Sequence, residues 1–192
     1  PENADTEPLM VGRRPVDQRT PMPRDGDVFA DRYTIEAQVG KGGMGVVYKA
    51  EQAPLSRSVA VKILKPPERI EDDPKFDERF MREAAAAAKL HHANTITIHD
   101  FGQTDRGQLF IVMEYLEGRN LHSVLRSGGP FSVERAVHVA AQICRSLREA
   151  HGKEMVHRDL KPANVVLIER DGDPDFVKVL DFRTSGTASS SR

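Results

Sequence analysis

Tryptophan is absent from this 192-residue chain, cysteine occurs once, at Cys144, and aromatic side chains make up only 6%. A lone cysteine excludes an internal disulfide and fits a reducing, cytoplasmic setting. Neither sign of charge is in excess: 28 Lys and Arg stand against 29 Asp and Glu, a net charge of -1. That balance supplies no electrostatic footprint for a nucleic acid, so no such partner is expected. No apolar run approaches the ~18 residues of a membrane span, so no membrane segment is expected here. The phosphate loop that ends in Gly-Lys-Ser/Thr is missing. Cys/His or His/His spacing suited to zinc is missing too, and His91-His92 read as helix-end and loop residues. What is present, 39% hydrophobic and 30% charged residues, is the composition of a globular protein.

The pattern changes along the chain. Residues 1–28 hold Pro8, Pro15, Pro21 and Pro23 among charges and read as a flexible N-terminal segment. From Tyr33 the residues Tyr33, Ile35, Ala37 and Val39 alternate with polar ones, which predicts a strand. "VVYKA" and "VAVKIL" are β-branched runs bounded by turn formers, and "TITIH" and "LFIVMEY" predict two further strands. Residues 76–90 predict a helix inserted among the strands. Beyond Gly118 helices take over, most clearly over 133–150. Strands first and helices second predict an α+β fold with two lobes. On the 133–150 helix, Val133, Val137, Ala140, Cys144 and Leu147 form one stripe, which predicts Cys144 as a small buried hydrophobe.

Chemistry gathers at a few positions. "VGKGGMGVVYKA" carries Gly40-x-Gly42-x-x-Gly45, with Gly43 between. Such glycines let backbone amides approach a phosphate, because no Cβ intervenes. A helix must follow in a dinucleotide fold. Here Val46-Val47-Tyr48 follows, which prefers strand, so a hairpin covering a nucleotide fits better. A plain glycine-rich hairpin turn fits the same residues. In "VAVKIL", Lys62 shares a face with Ala60 and Leu64. It reads either as an edge lysine or as a cation beside a flat ligand. Glu83 falls on the apolar helix stripe of Phe76, Phe80, Ala87 and Leu90. A carboxylate there either pairs with a cation, Lys62 being the candidate, or reaches out at the stripe edge. In "HRDLKPAN", Asp159 and Asn164 offer oxygens with Lys161 between them, and Asp181 of "LDF" adds another. A base, a cation and hard-oxygen metal ligands are the parts of phosphoryl transfer. The acidic "ERDGDPDF" reads as a hairpin loop rather than a calcium loop.

Together these residues resemble the eukaryotic-type Ser/Thr protein kinases, and "GKGGMGVVYKA" looks most like bacterial members. The resemblance covers 33–182. It implies a kinase-like two-lobe fold, with a small lobe and hinge at 29–117 and part of the large lobe at 118–182. It implies ATP and Mg²⁺ as cofactors and protein Ser/Thr as acceptors. Gly40, Gly42, Gly43 and Gly45 resemble the lid over the phosphates, and Val39, Val47 and Ala60 the upper wall around adenine. Lys62 matches the lysine on the α- and β-phosphates, held by Glu83. Met113 matches the gatekeeper, the backbone of Glu114 and Leu116 the hinge contacts, and Val166 the adenine floor. Asp159 resembles the catalytic base and Lys161 the cation near the γ-phosphate. Asn164 and Asp181 resemble the metal ligands. Lys161-Pro162 favours Ser/Thr acceptors, and Arg158 suggests control by a phosphorylated loop. Asn120 stands where many members place an acidic ribose contact.

The family continues Asp-Phe with Gly. Here Arg183 follows Phe182, and residues 183–192 read as an unrelated flexible tail. The expectation is a kinase domain truncated after Asp181-Phe182 and inactive as given. The alternative is a non-catalytic nucleotide-binding or interaction module.

Overall fold

The computed structural model describes residues 21–43, 45–65 and 75–182. The tail 183–192 and the first twenty residues lie outside this description. The chain forms β1 (Val28–Phe29), β2 (Tyr33–Gly42), β3 (Gly45–Gln52), β4 (Arg57–Leu64), α1 (Phe76–Ala87), β5 (Ile98–Gln103) and β6 (Leu109–Glu114). These are followed by β7 (Gly118–Asn120), α2 (Leu121–Gly128), α3 (Val133–Gly152), a short 3-10 turn (Pro162–Asn164), β8 (Val165–Arg170) and β9 (Asp173–Val179). A six-stranded sheet in the order β1-β2-β3-β4-β6-β5 builds the small lobe, and β7-β8-β9 make a second sheet in the large lobe. The α+β, two-lobe fold expected of a kinase-like chain is the fold observed.

Alternation explains the small-lobe sheet. Tyr33, Ile35, Val46, Tyr48, Val59, Val61 and Ile63 point to one face and form a core with Phe29, Phe110 and Val112. The segment read as a flexible lead joins this lobe at its end. Met22 packs against the core, Gly26 N–H donates to Ile35 O at 2.8 Å, and Ile35 N–H donates to Asp27 O at 2.9 Å. Tyr33 is fully buried, and its hydroxyl donates to Asp100 Oδ2 at 2.7 Å. Burial, with the neighbouring Asp100 carboxylate, pushes the Tyr33 hydroxyl pKa far up.

Two expectations are corrected. "TITIH" does not form a strand over its length. The strand is Ile98–Gln103, and Thr95 makes only an isolated bridge to Val179. Residues 94–97 are drawn away from β5 because they bond to the large lobe: Ile96 N–H donates to Val179 O at 3.0 Å and Val179 N–H to Asn94 O at 2.8 Å. The buried face of α3 is also not the apolar stripe. Val133 and Val137 are 74% and 61% exposed, and Ala140 and Cys144 are exposed as well, while Leu147 of the same stripe is half-buried against the large-lobe core. Val139, Gln142, Ser146 and Ala150 are buried instead. Gln142 accepts from Asn94 Nδ2 at 2.9 Å and from Val177 N–H at 3.0 Å, and Ser146 Oγ lies 2.7 Å from Thr95 Oγ1. These bonds satisfy polar groups that would otherwise oppose burial.

The acidic hairpin is also spent within the fold. Asp175 binds Arg135 at 2.7 and 2.8 Å, and Asp173 lies 2.8 Å from His138 Nε2. Among the described residues no helix is long and apolar enough to cross a membrane.

The α1–β5 connection is fastened to the end of α3. The Glu149 carboxylate accepts from the N–H groups of His91 and His92, both at 2.9 Å, and from Lys153 Nζ at 2.8 Å, while Lys153 also bonds Lys89 O. Burial alone would raise the Glu149 pKa, but these donors outweigh it and hold it below the ordinary carboxylate value. The stabilisation is therefore complete above the unfolded pKa of about 4.3 and is lost as pH falls through the lower folded value. Glu149→Ala should cost about 1–3 kcal/mol in urea unfolding at neutral pH. The difference from wild type should shrink between about pH 5 and pH 3. Equal stability at neutral pH would refute the anchoring role.

Candidate functional site

The strand register brings the predicted nucleotide residues onto one face. Val47 pairs with Lys62, Lys62 with Ile111, and Ala60 with Met113. Residues opposite each other across an antiparallel ladder share a face. Val47, Ala60, Lys62 and Met113 therefore lie opposite the core face of Val46, Val59, Val61 and Ile63. Ala60 is buried, Val47, Lys62 and Met113 are half-buried, and Val39 is 49% exposed on β2. Below, Val166 of β8 is half-buried and pairs with Asn120 of β7 and with Lys178 of β9. Asn120 caps α2, its Oδ1 accepting from Ser123 N–H at 2.8 Å, so that side chain is committed to the helix end.

At the hinge, the Glu114 N–H donates to Thr97 O at 3.0 Å. What Glu114 can offer an adenine edge is thus its carbonyl. The Leu116 N–H makes no hydrogen bond among the described residues.

The glycine loop divides by role. Gly42 pairs with Gly45 at the tip of the β2–β3 hairpin. A Cβ on Gly45 would sit 2.2 Å from Ile63 O, whereas Gly42 and Gly43 have open space within 4 Å and Gly40 meets only Val47 side-chain atoms at 3.6 Å or more. Gly45 is required by packing against β4. The smallness of Gly42 and Gly43 answers no demand of the protein itself.

The Lys62–Glu83 pair expected from the sequence is not formed. Lys62 Nζ lies 2.7 Å from Asp181 Oδ1. Glu83 is half-buried and makes no ion pair among the described residues. Asp181 adopts φ +57° where its carboxylate meets Lys62, and Glu83 stays partly exposed.

The large-lobe residues form one bonded loop. Lys161 Nζ lies 3.0 and 2.8 Å from the Asp159 oxygens, and Asn164 Nδ2 donates to Asp159 O at 2.9 Å and Asp159 Oδ2 at 3.2 Å. Leu180 N–H donates to Asn164 O at 2.9 Å, which joins the Asp181 turn to this loop. Arg158 and Asp181 both take positive φ, +60° and +57°, which costs about 1–3 kcal/mol each outside glycine. His157 holds both turns. It is 3% exposed, donates to Leu180 O at 2.7 Å, and its ring lies 4.7 Å from the Phe182 ring at a tilt of 52°. Neither His157 nor Lys178 was predicted as part of the site. His157 stands inside "HRD", so its spacing was visible, but its burial was not. Asn164 is 8% exposed, and its amide oxygen accepts no hydrogen bond among the described residues. A buried, unsatisfied amide oxygen one loop from a carboxylate suits a hard divalent cation.

Gly45→Ala should destabilise the small lobe by at least about 2 kcal/mol, because a backbone oxygen occupies the Cβ position. Gly42→Ala and Gly43→Ala should stay within about 0.5 kcal/mol of wild type without nucleotide. Thermal melting of the three variants decides it. Equal losses would mean that the loop glycines serve folding alone.

Comparison with known proteins agrees with this geometry. The family model described as "Protein kinase domain" matches residues 33–192, running past the Asp181-Phe182 point at which the sequence resemblance ended. The serine/threonine-protein kinase pkn3 of Myxococcus xanthus is 44% identical over 157 residues, 82% of this chain and 28% of that protein. The serine/threonine-protein kinase PknH of Mycobacterium tuberculosis is 42% identical over 159 residues, 83% of this chain and 24% of that protein. The chain thus spans about a quarter of the length of the curated relatives it matches. The crystal structure of the Mycobacterium tuberculosis PknI kinase domain superposes with a TM-score of 0.70 at 32% identity, covering 86% of this chain and 64% of that one. Rad53 in complex with AMP-PNP gives a TM-score of 0.67 at 26% identity, over 79% of this chain and 38% of that one. With Val47, Ala60, Lys62 and Met113 on one strand face, a bonded Asp159–Lys161–Asn164 loop and these relatives, the chain belongs to the protein kinase family, as a serine/threonine kinase domain of bacterial type.

Proposed function

We propose that the complete kinase domain to which these residues belong transfers the γ-phosphate of ATP to Ser or Thr hydroxyls of protein substrates, in the cytoplasm. One observation carries the reading: Lys62 of the small lobe reaches Asp181 of the large lobe at 2.7 Å, at the turn bonded to the Asp159 loop. A cation and a hard-oxygen ligand from different lobes meet where the nucleotide-facing surface ends.

The roles follow from the contacts. Ala60, Val47 and Met113 line the adenine side from above, Val166 lies below, and the Glu114 carbonyl and Leu116 N–H face the purine edge. Asp159 accepts the acceptor hydroxyl's proton. Its carboxylate is held by Lys161 and Asn164, so its charge stays balanced until Lys161 turns to the γ-phosphate. Lys161 is free to turn, because its side chain is 52% exposed. Asn164 and Asp181 would hold Mg²⁺, which when bound supplies positive charge against the phosphates. Lys62 then leaves Asp181 for the α- and β-phosphates, and Glu83, on the adjacent helix, is the carboxylate available to hold it there. For the 192 residues taken alone we propose nucleotide binding without protein phosphorylation, since transfer depends on positioning that a partial domain supplies only in part.

Mg-ATP should bind the chain, and Lys62→Ala should weaken that binding about tenfold or more in calorimetry. Unchanged affinity would overturn the assignment of Lys62. Radiolabelled ATP with a generic basic protein acceptor should give no incorporation above the Asp159→Asn variant. Incorporation above that background would show that these residues suffice for catalysis.

A further inference from the structure

Lys178 is the one lysine buried to 5% exposure among the described residues, and no step above uses it. Its ammonium lies 2.7 Å from Glu114 Oε1 and 3.4 Å from Thr95 O. The same Glu114 oxygen accepts the Thr97 N–H at 2.8 Å, while the Glu114 N–H returns to Thr97 O at 3.0 Å. One carboxylate oxygen therefore joins β9 of the large lobe, the 94–97 crossover and the first hinge residue. Across the ladder, Lys178 pairs with Val166, the residue read as the adenine floor. The hinge edge and the floor are thus tied to one another through a single side chain.

A buried ion pair is weak evidence for stability, since well-packed apolar residues commonly replace one without loss. In some proteins such a pair instead fixes a geometry, since breaking it leaves an uncompensated charge. Here the geometry fixed is that of the Glu114 backbone over Val166. We infer that Lys178 is a positioning residue for the adenine end of the cleft, acting through the Glu114 carboxylate and touching no nucleotide itself. The inference rests on the reading of this cleft as an ATP site.

The test uses the 192-residue chain, wild type and Lys178→Met, Lys178→Arg and Lys62→Ala, with adenosine and Mg-ATP as probes. Lys178→Met should weaken adenosine and ATP equally, by about tenfold, leaving their affinity ratio unchanged. Lys178→Arg, which keeps the charge, should recover most of that loss. Lys62→Ala should weaken ATP and spare adenosine. Hydrogen exchange without nucleotide gives a second, independent readout. Lys178→Met should speed exchange of amides 95–97 and 114–117 about tenfold and leave β2 to β4 unchanged. If Lys178→Met does not fold, Lys178→Met/Glu114→Gln, which removes the unpaired carboxylate, takes its place with the same expectations. Wild-type affinity for adenosine in the folded variant would overturn the inference. So would faster exchange across the whole chain, which would mark a purely structural role. A wild-type chain that binds neither probe would defeat the ATP reading instead, and local exchange at the hinge would still decide whether Lys178 sets its geometry.

Discussion

The two lobes are held by a short crossover, residues 94–97, that belongs to neither sheet over most of its length. Its backbone bonds β9 through Asn94 O and Ile96 N–H, its side chains bond α3 through Asn94 and Thr95, and Thr97 bonds the hinge through Glu114. The small-lobe sheet is otherwise a self-contained ladder with its own core. Together with Ala87 and Leu90, which sit in the large-lobe core, and the Lys178–Glu114 pair, this strip fastens the small lobe to the large one. Asn94, Thr95 and Ile96 are buried, so water competes little for their bonds and leaving one unmade is costly, whereas the Thr97–Glu114 bond is exposed.

The motif residues were legible because their spacing is local. Glycines at fixed spacing fall in one hairpin, the lysine in one β-branched strand and the Asp159–Asn164 interval in one loop with its short 3-10 turn. The framework around them was less legible. Apolar periodicity put Val133, Val137, Ala140 and Cys144 in the core, but α3 turns Gln142 and Ser146 inward instead. Nothing in the helix itself announces this. The reason lies on Asn94, Thr95 and Val177, far away in sequence, whose polar groups need those partners. A pattern of hydrophobicity counts apolar residues; it does not see that a buried amide matched on three sides is as acceptable inside as a leucine. The same blindness hid the end of "TITIH" and the burial of Lys178.

Lys62 shows a different limit. The sequence offered it two carboxylates, Glu83 and Asp181, and geometry alone separates them. A single ammonium at 2.7 Å from one of them has little reason to leave for the other while both compete on equal terms. The terms change when anionic phosphates and a divalent cation enter the cleft. On the proposed ATP reading, Asp181 would hold the cation and the phosphates would attract Lys62, which would remove the local charge balance that favours Lys62–Asp181. Two groups that bind each other without ligand are thereby the two that the ligand must part. The arrangement keeps both charges compensated in the unliganded protein, where an unpaired, partly buried Asp181 would be costly. It also ties the small lobe to the large one across the mouth of the cleft while the 94–97 strip ties them behind it. On that reading, nucleotide would exchange the Lys62–Asp181 contact between the lobes for contacts to the ligand, and would leave the 94–97 bonds to β9 and α3 in place.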